Sequence, residues 1–280
     1  MYGWPARRHG LASAVMATVS KLAAVLALVG GYAFVVRPRL LCWGATDEEV
    51  RSPYPGADLI PGGKRSATMA VTIDAPPSLV WQWLVQMGVD RAGWYSWDRL
   101  DNFGRRSAER VHPEWQQISV GDRLTAKPDG SEWWEVAALE PGRFLGLRMS
   151  LDLRGRPFDP VDARPRFYTD SSWGFLLQQL PGDRTRLVVS GYWSLRPRWL
   201  QPALSFMFLE PSHWIMQTRQ FTNLRRRAKA HAARADDRPA RSDQGRGEWL
   251  SQRPRPSRAA DLGQGGREAL RGRLSRDIQP

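Results

Sequence analysis

Residues 67–102 read ATMAVTIDAPPSLVWQWLVQMGVDRAGWYSWDRLDN, a strand, a helix and an aromatic cluster in direct succession. Met69, Val71 and Ile73 alternate with Thr68, Ala70 and Thr72, the period-2 pattern of a strand buried on one face. Asp74 ends the strand and can accept backbone N–H groups as an N-cap. Pro76 and Pro77 suit a first helical turn, and Val80, Trp83, Leu84 and Met87 recur at helical spacing. Gly88 closes that helix. Trp94, Tyr95 and Trp97 then fall within four residues, followed by Asp101 and Asn102, a run too short and polar to form a core element. Such a cluster is expected to line a cavity.

Working outward, Pro128-Asp129-Gly130, Glu140-Pro141-Gly142 and Pro181-Gly182-Asp183 punctuate the chain as hairpin turns. Between them lie strand-like runs at 122–126, 132–139, 143–150, 172–179 and 185–195, which with the first strand predict a curved antiparallel sheet. The polar, Pro-rich residues 151–169 are expected as a loop at the cavity rim. Pro211 is expected to open a long helix ending near Ala233, with Trp214, Gln217, Phe221 and Leu224 as its packing stripe.

These residues carry a family resemblance. The arrangement strand, DAPP, VWxWLVQMG and RAGWYSWDxLDN continues in Val111 to Gln116 and Val120 to Asp122. It reaches upstream to Trp43–Asp47 and downstream to Glu210–His213. Over about residues 40–230 the chain resembles the SRPBCC superfamily of START, Bet v 1 and polyketide cyclase-like proteins, and within it a membrane-tethered bacterial subgroup. The resemblance implies an α+β helix-grip fold, an antiparallel curved sheet wrapped on a long C-terminal helix, with a ligand cavity between them. It carries no catalytic residue over to this chain.

Residues 11–36, LASAVMATVSKLAAVLALVGGYAFVV, are long enough as a helix to span the roughly 30 Å hydrocarbon core, and Lys21 can snorkel toward an interface. This predicts one N-terminal transmembrane helix and a single-pass protein of the cell membrane, with Trp4 and Trp43 as interfacial flanks. A cleaved signal peptide is the alternative, with Arg7-Arg8 as its basic start and Leu22 to Val29 as its apolar core, but no good Ala-x-Ala site follows. Basic residues on both sides leave the orientation nearly balanced, and a cytoplasmic domain is the reading adopted. The expected organisation is therefore an N-terminal flank at 1–10, the span at 11–36, a juxtamembrane linker at 37–65, a helix-grip domain at 66–231 and a disordered basic tail at 232–280, with a short helical tendency at 267–276.

Charge is uneven along this plan. Basic and acidic residues number eight and four before residue 66, 18 and 17 from 66 to 224, and 15 and seven beyond. The domain body is nearly neutral, so the excess points to anionic lipid headgroups rather than nucleic acid. A single cysteine, Cys42, excludes an internal disulfide and a thiolate zinc site. The P-loop, GxGxxG, GxSxG, HExxH and CxxC patterns are absent, so no cofactor and no metal are expected.

Two acid and imidazole pairs remain. Glu210 and His213, at i and i+3, would share a helix face as an acid–base pair or a partial metal site, or Glu210 could cap the helix beginning at Pro211. His112 beside Glu114 reads as a loop histidine packed under Trp115. Of the domain tryptophans about half are assigned to the cavity. The expected lining is Trp83, Met87, Trp94, Tyr95 and Trp97, then Asp101, Asn102, Trp133 and Trp193, and His213 and Gln217 from the last helix. The function expected is binding of a small hydrophobic or lipid-like ligand, without a catalytic assignment or an oligomeric state. The alternatives are a cyclase/dehydrase-type enzyme using Tyr95, Asp101 or His213 on a polyketide-like substrate, and a regulatory adaptor acting through the basic tail.

Overall fold

In a computed structural model of the chain, residues 6–160 and 164–250 are described. The chain divides into two compact units, Met1–Asp236 and Asp237–Pro280; in the second, residues 237–250 are helical. Trp4 and residues 251–280, with the helical tendency at 267–276, lie outside the described residues.

The first unit opens with α1 (Ala6–Gly31), a π-helical stretch (Tyr32–Val36) and α2 (Arg37–Leu41), one unbroken helical rod. Met16–Leu41 is the one helix among the described residues long and apolar enough to cross a membrane, and none of its most apolar window is buried. The short helix α3 (Asp47–Arg51) starts in a capping box between Thr46 and Glu49. Strand β1 (Lys64–Arg65) and strand β2 (Met69–Ile73) follow, then α4 (Pro77–Val85) and α5 (Asp98–Asp101). The sheet is completed by β3 (Arg123–Thr125), β4 (Trp133–Glu140), β5 (Phe144–Asp152), β6 (Tyr168–Leu180), β7 (Arg184–Ser190) and β8 (Tyr192–Arg196). A 3-10 turn (Arg198–Leu200), α6 (Gln201–Leu204), a second π-helical stretch (Ser205–Leu209) and α7 (Glu210–Leu250) close the described chain.

All eight strands are antiparallel. The order is β1-β8-β6-β5-β4-β3, with β7 inserted between β6 and β2. The 13-residue β6 is long enough to pair β8 along its first part and β7 along its second. Gly191 sits at the kink between β7 and β8, where a Cβ would stand 2.0 Å from the Ser172 carbonyl oxygen, so only glycine fits. The concave face carries Met69, Val71, Ile73, Leu145, Leu147, Phe175, Leu187 and Val189 against Val80, Trp83 and Leu84 of α4 and Phe221, Leu224 and Ala228 of α7. The helix-grip expectation therefore holds at the level of a curved antiparallel sheet and a long C-terminal helix.

Four local readings change. Asp74 does not cap α4; Pro76 occupies the N-cap and Pro77 the first helical position. Pro211 does not open the last helix, because helix already precedes it. The π-helical stretch ending at Leu209 displaces the i→i−4 ladder just where Pro211 lacks its N–H, and this lets the rod pass through. The helix also continues past Ala233, so residues 232–250 are helical rather than disordered.

Finally, residues 37–65 are not a loose linker. Thr68 and Ala70 donate their N–H groups to the carbonyls of Leu41 and Trp43, which covers the free edge of β2. Tyr54 is buried against the convex face with Phe144, Ala70 and Val188, and its hydroxyl donates to the Val188 carbonyl at 3.1 Å. Gly174 leaves room for this packing; a Cβ there would lie 2.9 Å from the Tyr54 ring and 3.0 Å from Phe144. Arg186 fastens the layer with two hydrogen bonds to Glu49, at 2.7 and 2.8 Å, and one to the Gly44 carbonyl.

Candidate functional site

A cavity of about 620 Å³ lies between the concave face, the loop after α4 and the start of α7. Its aromatic wall follows from strand alternation. Ser171 and Trp173, two apart on β6, line the cavity along with Trp134 of β4. Trp173 is the centre of the arc: its ring lies 5.7 Å from Trp94, 5.6 Å from Trp134 and 4.8 Å from Phe175. Trp193 of β8 adds a fourth indole to the wall.

Behind the arc runs a chain of buried hydrogen bonds. Trp173 Nε1 donates to Gln217 Oε1 at 3.2 Å, Gln217 Nε2 donates to Gln220 Oε1 at 2.8 Å, and Gln220 Nε2 donates to the Trp94 carbonyl at 2.9 Å. Both glutamines are satisfied inside the fold, so they hold the rings in place while presenting little spare polarity. Asn223 adds a further tie, donating to the Tyr95 carbonyl at 2.8 Å.

The polar end of the cavity differs. Neither carboxylate oxygen of Asp101 has a hydrogen-bond partner although both are buried, and the same holds for His213 Nε2 and the Ser96 hydroxyl. All three residues line the cavity. Burial pushes the Asp101 carboxyl up to about 6, and the Ser96 hydroxyl alongside offsets part of this without completing a bond of normal geometry. Burial alone pushes His213 down to about 4, so its imidazole is neutral at pH 7. The cavity thus couples apolar aromatic surface to acceptor and imidazole groups that a ligand's polar atoms can satisfy. Among the described residues no cluster of His, Cys, Asp and Glu could hold a metal ion.

Of the expected lining, Trp94, Asp101, Trp193, His213 and Gln217 are on the cavity wall. Six residues are not. Trp83, Met87 and Tyr95 are wholly buried in the core between α4, the sheet and α7; Tyr95 takes a hydrogen bond from Gln86 Nε2 at 2.8 Å and lies under the Arg227 guanidinium. Trp97 stands outside, donating to the Ile215 carbonyl with Arg219 over its ring. Asn102 is a brace rather than an anchor for a ligand: its Oδ1 accepts from Trp94 N at 3.0 Å and its Nδ2 donates to Ser107 and Asp98. Trp133 faces the convex side under Arg123, and the cavity receives Trp134 instead.

Part of the loop expected at the rim is displaced as well, although Thr169 at its end lines the cavity. Pro157, Phe158 and Pro160 pack near Trp133, Glu135 and Arg148 on the convex side, away from the cavity. Glu210 does not pair with His213. It accepts two hydrogen bonds from Arg37, at 2.6 and 2.8 Å, and both residues line the cavity. His112 stacks on Trp115 at 4.3 Å and contacts Glu114 at 3.0 Å, remote from the cavity wall. Residues the sequence reading did not select include Trp134, Trp173 and Gln220 from the core side, and Leu100, Phe103 and Leu209 from the rim. The two tryptophans carried a signal in their strand alternation; the rim residues carried none, being single apolar positions in short segments.

No protein-family model matches the chain, and no curated protein matches it. Solved structures of similar shape include the hypothetical protein jhp0584 of Helicobacter pylori, at 15% identity over 65% of this chain and 96% of that one, with a TM-score of 0.39. Protein MLL2253 of Mesorhizobium loti is 18% identical over 58% of this chain and 97% of that one, at 0.32. CalU16 of Micromonospora echinospora is 16% identical over 62% and 91%, at 0.28. Overlap this low carries no argument about what the chain binds or does.

Proposed function

We propose that this chain is a membrane-tethered member of the SRPBCC superfamily that binds one small hydrophobic or lipid-like molecule in the cavity beneath its sheet. The observation that carries this reading is the cavity itself. At about 620 Å³ it has the size of a small-molecule site, one wall is built of Trp94, Trp134 and Trp173, and buried acceptor groups on Asp101 lack a partner. An apolar ligand body would lie on the indoles and a hydroxyl or amide donor would meet Asp101. The tether is supported by the packing of the apolar rod's end. Tyr32 lies edge-on to Phe206 at 4.9 Å, and Arg37 and Leu41 form part of the cavity wall, a structural use that a cleaved signal peptide would not have.

The test is displacement of a fluorescent fatty-acid analogue from the full-length chain in detergent, compared with Ser171→Trp, which fills the cavity from β6. Saturable binding lost in the variant supports the reading, and equal binding by both proteins contradicts it.

One observation favours a second reading. Asp101 and His213 share the cavity with their protonation equilibria moved in opposite senses, the carboxyl up and the imidazole down, an arrangement suited to proton transfer on a bound substrate. A cyclase/dehydrase-type enzyme would lose rate in Asp101→Asn while keeping its substrate affinity, whereas a binder has no rate to lose.

A further inference from the structure

We propose that the cavity opens into the bilayer itself, so that its ligand is a membrane lipid or lipid-derived molecule entering sideways from the hydrocarbon edge. This rests on the tethered-binder reading and specifies both the ligand's source and its route.

The mouth is identified by residues that line the cavity yet remain exposed: Leu100 is 68% exposed, Phe103 54% and Leu209 48%. All three are apolar. Next to Leu209 in the chain stand Met207 and Phe208, 59% and 58% exposed. Large apolar side chains gathered at an opening, rather than scattered singly, mark a surface that something apolar covers. Phe103, at the rim, holds a left-handed backbone, φ 53°, a conformation disfavoured for a bulky residue.

What covers the rim follows from its place beside the apolar rod. Phe206 packs against Tyr32 and its carbonyl accepts the Tyr32 hydroxyl. Tyr32 precedes Arg37, the charged residue that ends the apolar run, by five residues, which at 1.5 Å per residue is roughly 7.5 Å of helix. If the rod spans, Tyr32 is about one and a half turns inside the level of Arg37, and Phe206 is at that depth beside it. Met207, Phe208 and Leu209 belong to the same π-helical stretch, so they meet acyl chains rather than water. Exposed Arg39 lies two residues beyond Arg37, where it can meet lipid phosphates. The Arg37–Glu210 pair then stands at the hydrocarbon edge, part of the cavity wall and available to a polar headgroup.

The test places the full-length chain, in a Cys42→Ser background, in nanodiscs of phosphatidylcholine and phosphatidylglycerol. Nitroxide labels at Leu26→Cys, Met207→Cys and Asp129→Cys are compared for accessibility to oxygen against a water-soluble nickel chelate. The expected result is oxygen-favoured collisions at positions 26 and 207 and nickel-favoured collisions at 129. A membrane-buried 26 with a water-exposed 207 overturns the portal and leaves the tether standing; a water-exposed 26 overturns both. In parallel, Met207→Asp combined with Phe208→Asp should slow uptake of a fluorescent fatty acid from vesicles of the same lipids about tenfold, with its affinity in detergent unchanged. Equal uptake rates overturn lateral entry. A wild-type chain that takes up none from vesicles yet binds it in detergent does so too, and failure to bind in either setting removes the binding reading itself.

Discussion

Arg37 and Glu210, 173 positions apart in the chain, meet in a two-point ion pair, Nε to Oε2 at 2.6 Å and Nη2 to Oε1 at 2.8 Å. Through it the end of the apolar rod and the start of the C-terminal helix become one wall of the cavity. Glu210 is largely buried, with 16% of its side chain exposed, so removing Arg37 leaves a carboxylate without its partner. Arg37→Ala and Glu210→Gln are each expected to cost about 1–3 kcal/mol. The double variant should cost less than their sum by at least about 0.5 kcal/mol, measured as a double-mutant cycle of denaturant unfolding. Strict additivity would mean that the pair is not formed.

Residues 45–63 form a layer of the domain rather than a spacer, and Tyr54 is its anchor. Tyr54→Ala should destabilise the fold by about 3–5 kcal/mol, as expected of a buried aromatic ring. Tyr54→Phe, which loses only the bond to the Val188 carbonyl, should cost about 1 kcal/mol. A chain beginning at Ser66 should unfold at lower urea than one beginning at Leu40, and equal midpoints would return this segment to the status of a linker.

The two buried titratable groups give opposite pH dependences. Asp101 keeps its proton to about pH 6 when folded, whereas in the unfolded chain it releases it near 3.8. The folded state therefore binds more protons in between, and stability falls as pH rises from about 4 to 6, then stays level. His213 behaves in the other sense. The unfolded chain takes up its proton near 6.5 and the folded one only near 4, so stability is full above 6.5 and is lost as pH falls toward 4. Asp101→Asn should raise the melting temperature at pH 7, worth about 1 kcal/mol once solvent screening at this partly open site is allowed for. His213→Gln should flatten the acid side of the profile. Melting curves from pH 4 to 8 check both, and an unchanged profile in either variant contradicts the burial assigned to that group.

The adjacent tryptophans of β4 supply an internal control. Trp134→Ala should weaken binding of a hydrophobic ligand about tenfold, roughly 1.4 kcal/mol for one lost stacking surface. Trp133→Ala, on the other side of the sheet under Arg123, should leave affinity unchanged. Titration of both variants with the same fatty-acid analogue decides the point, and a reversed order would put the cavity on the wrong face.

Periodicity made the fold readable because each strand has one buried face: Met69, Val71 and Ile73 announced β2, and the turn residues at 128–130, 140–142 and 181–183 marked the hairpins. What the pattern did not contain is register. Alternation says that Trp133 and Trp134 face opposite ways but not which faces in, and the bulge between Val136 and Ala138 resets the pairing of β4 with β5 nearby. Asp101 and Asn102 are likewise neighbours with opposite fates, one aimed into the cavity and the other spent on the Trp94 and Ser107 hydrogen bonds. The outer layer was hidden because RSPYPGADLIPGG has no period; it is held by one buried tyrosine, a glycine that makes room and the Arg186–Glu49 pair. The helix beyond residue 232 was masked by polar composition, which argues against a packed core but not against helix.

The most direct measurement is native mass spectrometry with lipid extraction on the full-length chain purified from membranes, beside Ser171→Trp prepared in the same way. A hydrophobic molecule present at one per chain in the wild type and absent from the variant is the predicted result, and its mass would name the ligand class. A folded wild-type chain that carries nothing, or that carries the same lipids in the same amounts as the filled variant, would contradict a ligand in the cavity.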